Sequence, residues 1–123
     1  MLQVHTKKTG TMAVLCLQGQ IVTGETESLR AAVSALSGVK SVILDFAQVG
    51  TIDAGGLGVM LGLREQAGAR GIRLALMNVS KGVSKVLSIA RLDSVFEITS
   101  SMEFFPVAAH RRRVATAVLA PCA

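Results

Sequence analysis

The stretch Ser41 to Phe46 constrains the fold most, because Val42-Ile43-Leu44 is a continuous branched run too short for a helix and apolar enough to be covered on both faces. Such a segment fits a central strand, which needs neighbouring strands beside it and crossover helices over it. The flanking sequence offers both. Residues 2 to 22 hold two alternating stretches around Thr9-Gly10-Thr11, with Leu2, Val4 and Thr6 before it and Met12, Val14 and Cys16 after it, and they predict a β-hairpin. From Gly24 the period changes: Leu29, Ala32, Val33 and Leu36 follow the i, i+3, i+4, i+7 spacing of an amphipathic helix, with Gly38 as its stop.

Beyond Ala47 to Ile52, Asp53 is placed to cap a second helix over Ala54 to Ala69, ended by Gly71. Ile72 to Met77 alternates as a strand. Ser80 precedes Val83, Val86, Leu87 and Ala90 at helical spacing, and Val95 to Ile98 supplies a last short strand. The order is β-β-α-β-α-β-α-β, a single α/β domain whose mixed sheet of four to five strands is served by crossover helices. A further helix is suggested by Ser100 and Glu103 as a capping box, although Pro106 would remove one of its hydrogen bonds. The domain is assigned to residues 1–109, and 110–123 form a basic, then Ala- and Val-rich tail or helix extension.

Composition narrows the function. Half of the 123 residues are hydrophobic and 17% are charged, enough apolar material for a core and too little charge for a disordered chain. All four aromatic residues are Phe, so base stacking on Tyr or Trp is unavailable and no nucleic-acid partner is expected. Three of the positive charges are Arg111, Arg112 and Arg113; without them the formal net charge of +5 falls to +2. That tail is shorter than a polybasic lipid-binding cluster and reads as a solvated end.

The longest aliphatic and glycine run, Ala54 to Leu63, is too short to span a membrane, and Met1 to Lys8 lacks the apolar core of a signal peptide. With Cys16 inside an apolar run and Cys122 next to last, no disulfide framework is expected, and the chain reads as cytoplasmic.

No catalytic constellation is expected. His5 lies in the first strand and His110 beside the arginines, without metal-ligand spacing or a nucleophile motif near either, so no metal, cofactor or enzymatic activity is predicted. Asp45, near the end of the buried strand, suits hydrogen bonds to loop amides better than acid–base work. The run Gly56-Leu-Gly58-Val-Met-Leu-Gly62 imitates a dinucleotide fingerprint. It has one residue too many before the last glycine, and Leu76-Met77-Asn78 offers no ribose-binding acid.

The segment Thr51-Ile-Asp-Ala-Gly-Gly-Leu-Gly58 stands between a strand and a helix, where outward backbone N–H groups can meet an anion or a partner's acceptor. An alternative is that Asp53 only caps while Gly55, Gly56 and Gly58 allow close packing.

Together with Ser41-Val-Ile-Leu-Asp-Phe-Ala-Gln-Val-Gly-Thr-Ile-Asp53, Gly19-Gln-Ile and the strand–helix–strand ending Ile72 to Ile98, this segment resembles the STAS domain, the family named for sulfate transporters and anti-sigma factor antagonists. The likeness covers about residues 2 to 105, and the small bacterial antagonists are the most similar members. In members switched by phosphorylation, the resemblance implies an acceptor serine immediately before Gly-Leu, modified by a serine kinase that is also the anti-sigma factor. Here that position is Gly55, the preceding serine is Ala54, and an acidic residue common in the family falls at Val22. Thr51 is the nearest hydroxyl in sequence and suits a structural role.

The resemblance implies a transcription-regulating interaction domain that binds an anti-sigma factor or GHKL-type serine kinase through Asp53, Ala54, Gly55, Gly56 and Leu57 with Val22, Thr23 and Gly24. Gly55 and Gly56 are expected to admit the partner's backbone, and Gly55 cannot be phosphorylated. Two alternatives are a structural subunit of a larger assembly, such as a lipid-transport complex or stress-signalling scaffold, and a small-ligand or nucleotide-binding module. Val107, Val114 and Val118 could share a helix face that packs on the domain or pairs two chains.

Overall fold

The computed structural model describes residues 2–99. The elements run β1 (Gln3–Thr9), β2 (Met12–Ile21), α1 (Glu27–Ser34), β3 (Ser41–Ile52), α2 (Ala54–Ala69), β4 (Arg73–Met77), α3 (Lys81–Ile89) and β5 (Glu97–Thr99). They build one five-stranded mixed sheet in the order β1-β2-β3-β4-β5; β1 and β2 are antiparallel and every later pair is parallel. The hairpin turns through Gly10 and Thr11, with Thr9 opposite Met12.

The run at 42–44 is buried as its composition requires, with Val42 at 1% exposure and Ile43 and Leu44 at 0%. Strand alternation divides these side chains between the two faces of the sheet. On one face Ala13, Leu15, Leu17, Val42, Leu44, Phe46 and Leu76 meet Leu29 and Val33 of α1, Met60 and Leu63 of α2, and Val83 and Leu87 of α3 in one core. Each large aliphatic side chain buried there contributes about 1.5–3 kcal/mol. On the other face Val14, Cys16, Ile43 and Met77 make a second buried cluster. Asp45, 3% exposed, accepts hydrogen bonds from the Ala47 N–H (2.9 Å) and the Asn78 side-chain amide (3.2 Å).

The caps follow the sequence signals closely. Ser80 Oγ accepts from the Val83 N–H at 3.2 Å. At the end of α2, Gly71 has φ +69° and the Ile72 N–H returns to the Ala67 carbonyl at 2.8 Å, a Schellman ending with Ile72 and Ala67 both buried in the core.

Three boundaries differ from the sequence expectation. Helix α1 begins at Glu27 and not Gly24, because residues 22–25 close a β-turn first, and it is capped at Ala35, short of Gly38. Strand β3 does not stop at Phe46; it continues to Ile52 with Val49 and Ile52 facing the core. Strand β5 is shorter than expected, since the Val95 and Phe96 N–H groups both bond to the Leu92 carbonyl in a turn. The capping box at Ser100 and Glu103, Pro106, the arginine run, Cys122 and the helix face of Val107, Val114 and Val118 lie outside the described residues.

Candidate functional site

Parallel pairing of β2 with β3 sets Ile21 beside Ile52, so both strands finish at the same edge of the sheet. The chain leaving β2 then turns through Val22-Thr23-Gly24-Glu25, where the Glu25 N–H donates to the Val22 carbonyl at 3.0 Å. Gly24 has φ +86°, the third-residue geometry of a type II turn. The chain leaving β3 reaches Asp53 and enters α2. The two segments are therefore neighbours in space although 30 residues apart.

Asp53 ties them together. Its Oδ1 accepts from the Gly56 N–H at 2.7 Å, capping α2, and both carboxylate oxygens lie 3.1 Å from the Thr23 nitrogen, whose N–H they share. Its own N–H donates to the Ile21 carbonyl at 3.2 Å. These donors, the Gly56 N–H above all and then the Thr23 N–H, hold the carboxyl below its ordinary value of 3.8. A carboxyl lowered in the folded chain gives stability that is complete above the unfolded value and is lost as pH falls through the folded one. We therefore expect Asp53→Asn to lower the thermal midpoint at neutral pH, with the gap from the wild type shrinking as pH falls from the ordinary carboxyl value of 3.8 through the lowered folded one. Melting curves across pH 2 to 7 check this, and a gap independent of pH contradicts it.

Thr23, Gly24, Ala54 and Gly55 are exposed, Val22, Asp53 and Leu57 half-buried, and Gly56 buried. The eight residues singled out in the sequence thus do come together, with Gly56 behind the surface. Space is used differently from the expectation that both glycines admit a partner's backbone. A Cβ on Gly56 would sit 1.9 Å from the Ile21 carbonyl oxygen, and one on Gly55 would sit 1.9 Å from Thr23 Oγ1. The chain itself fills both spaces. Gly58 has no such neighbour within 4 Å. Thr51 is exposed in β3 opposite Gln20, and Thr23, not Thr51, brings the hydroxyl closest to position 55. Nothing local in the sequence marks Thr23; its role comes from the register of two strands.

Among the described residues, no group of three or more His, Cys, Asp or Glu could hold a metal, and no helix is long and apolar enough to cross a membrane. His5 is exposed on the edge strand β1.

A mixed five-stranded sheet whose second and third strands end in a carboxylate-clamped turn and a glycine-rich helix start defines a small α/β domain. Residues 3–105 match the family model described as STAS domain, and the chain belongs to that family. Among similar solved structures is the anti-sigma factor antagonist SpoIIAA of Bacillus in its unphosphorylated form, 24% identical with a TM-score of 0.70, covering 89% of this chain and 96% of that one. An anti-sigma factor antagonist from Mycobacterium paratuberculosis is 15% identical with a TM-score of 0.70, covering 80% and 85%. A sulfate transporter family protein from Wolinella succinogenes is 21% identical with a TM-score of 0.66, covering 72% and 75%. At these identities the likeness is one of fold.

Proposed function

We propose that the chain is a non-enzymatic protein-interaction domain that docks a regulatory partner, of the anti-sigma factor or serine kinase type, on the surface formed by the start of α2 and the Val22–Glu25 turn. The clamp carries this reading: Asp53 holds two segments from different parts of the chain as one rigid face, with Thr23, Gly24, Ala54 and Gly55 exposed on it. A preformed face lowers the ordering cost of association. Family membership and the antagonist fold support the same assignment. Gly55 carries no hydroxyl, so the face is not switched by phosphorylation at that position.

The test uses the full chain as bait in an extract of its native cell, beside Ala54→Arg, which adds bulk and charge at an exposed position without entering the core, and Lys85→Ala on exposed α3 as a control. Recovery of a GHKL-type kinase by the wild type and by Lys85→Ala, falling at least about tenfold for Ala54→Arg, is expected, since desolvated mismatches at an interface cost that much or more. Equal recovery by Ala54→Arg overturns the assignment of the face. Recovery of a transporter ATPase in place of a kinase favours a second reading, a structural subunit of a larger assembly, for which the fold's occurrence in a sulfate transporter family protein is the support.

A further inference from the structure

We propose that Thr23 and Gly55 are an exchanged pair: the side chain of Thr23 occupies the volume that a side chain at position 55 would take, so Thr23 fixes position 55 as glycine and supplies the face with its hydroxyl. The geometry is specific. A Cβ built on Gly55 falls 1.9 Å from Thr23 Oγ1, 2.9 Å from Thr23 Cβ and 3.3 Å from Thr23 Cα. The first clash could be relieved by turning the threonine about χ1, but the second could not, because the Cβ position is set by the backbone. That backbone is held from both sides, by the Thr23 N–H on the Asp53 carboxylate and by the Glu25-to-Val22 turn bond. Position 55 cannot carry a side chain without strain while residue 23 keeps its Cβ.

Two consequences follow for recognition. The hydroxyl at this end of the protein comes from the turn after β2 and not from the first turn of α2. Its oxygen lies 3.5 Å from Asp53 Oδ1, near enough to lean its proton toward the carboxylate and leave its lone pairs to accept from a partner's N–H. Thr23 is thus a specificity-determining residue: a partner that packs on a bare helix start and donates to a hydroxyl beside it fits this face. One that requires a side chain at 55 does not.

A melting cycle tests the exchange without any partner. Gly55→Ser in the otherwise natural chain is expected to lower the thermal midpoint by about 4–8 °C or more, the shift of a modest steric penalty in a domain of this size. In the Thr23→Gly background the same substitution is expected to lower it by less than half as much; in the Thr23→Ala background, which keeps the 2.9 Å contact, the drop stays intermediate. A Gly55→Ser midpoint equal to that of the wild type, or an equal drop in all three backgrounds, overturns the exchange.

The recognition half rests on the docking reading given above. In the same capture experiment Thr23→Val, which keeps the shape and removes the hydroxyl, is expected to recover about two- to tenfold less partner, the worth of one hydrogen bond. Equal recovery overturns the recognition half. Absence of any captured partner counts against the docking reading, while the melting cycle still decides the exchange.

Discussion

Gly56→Ala is expected to lower the thermal midpoint by more than about 10 °C, or to prevent folding, although it adds a single methyl group to a helix. The methyl would lie 1.9 Å from the Ile21 carbonyl oxygen, 2.7 Å from its carbon and 3.0 Å from Ile21 Cγ2. None of these atoms can step aside cheaply. The carbonyl accepts the Asp53 N–H, and Ile21 is buried at 0% exposure and paired with Ile52. Relief must come from separating β2 from the start of α2, which stretches the Asp53 cap and opens the core beneath. Overpacking typically costs about 1–3 kcal/mol and occasionally more, and a contact with fixed backbone belongs at the upper end, a large part of a typical stability of roughly 5–15 kcal/mol. Thermal melts followed by circular dichroism check it. A shift under about 2 °C would show that the strand and helix are not tightly apposed.

The same exchange elsewhere in the same helix is expected to have the opposite sign. Gly58, Gly62 and Gly68 lie in α2, are exposed, and meet nothing within 4 Å where a Cβ would stand. Each lets the unfolded chain keep freedom that the helix must remove, at about 0.5–1 kcal/mol relative to alanine. The triple variant Gly58→Ala, Gly62→Ala and Gly68→Ala is therefore expected to gain about 1.5–3 kcal/mol, raising the midpoint by roughly 10 °C. Urea unfolding with an unchanged slope and a higher midpoint concentration would confirm the gain in stability. A fall in stability would mean that these positions pack against something.

The contrast between these glycines separates what could be read from the amino-acid order from what could not. Local chemistry was legible: the apolar run at 42–44, the caps at Asp53 and Ser80, and the glycine that ends α2 all follow from residue type and spacing, and all are found. The extent of β3 was not, because Ala47 and Gln48 interrupt its apolar pattern with two exposed residues. The strand continues across them since β2 stays paired beside it, with register shifts between Cys16 and Gln18 and between Gly19 and Gln20. The site residues were legible as a set. Which glycine faces a neighbour and which faces open space was not, because that depends on how β2 lies against α2, a contact between segments distant in sequence. Gly55, Gly56 and Gly58 look alike as letters; Thr23, Ile21 and solvent make them three different positions.

The Asp53 clamp also gives the molecule an internal reporter. The Thr23 amide, exposed in a turn, donates to a carboxylate that simultaneously caps α2. Its proton resonance should sit downfield of ordinary turn amides, exchange slowly with deuterium for so exposed a residue, and shift as Asp53 titrates. Anything that loosens the first turn of α2, whether acid, a substitution or an arriving partner, should therefore register at Thr23 in the spectrum before the sheet beneath has changed.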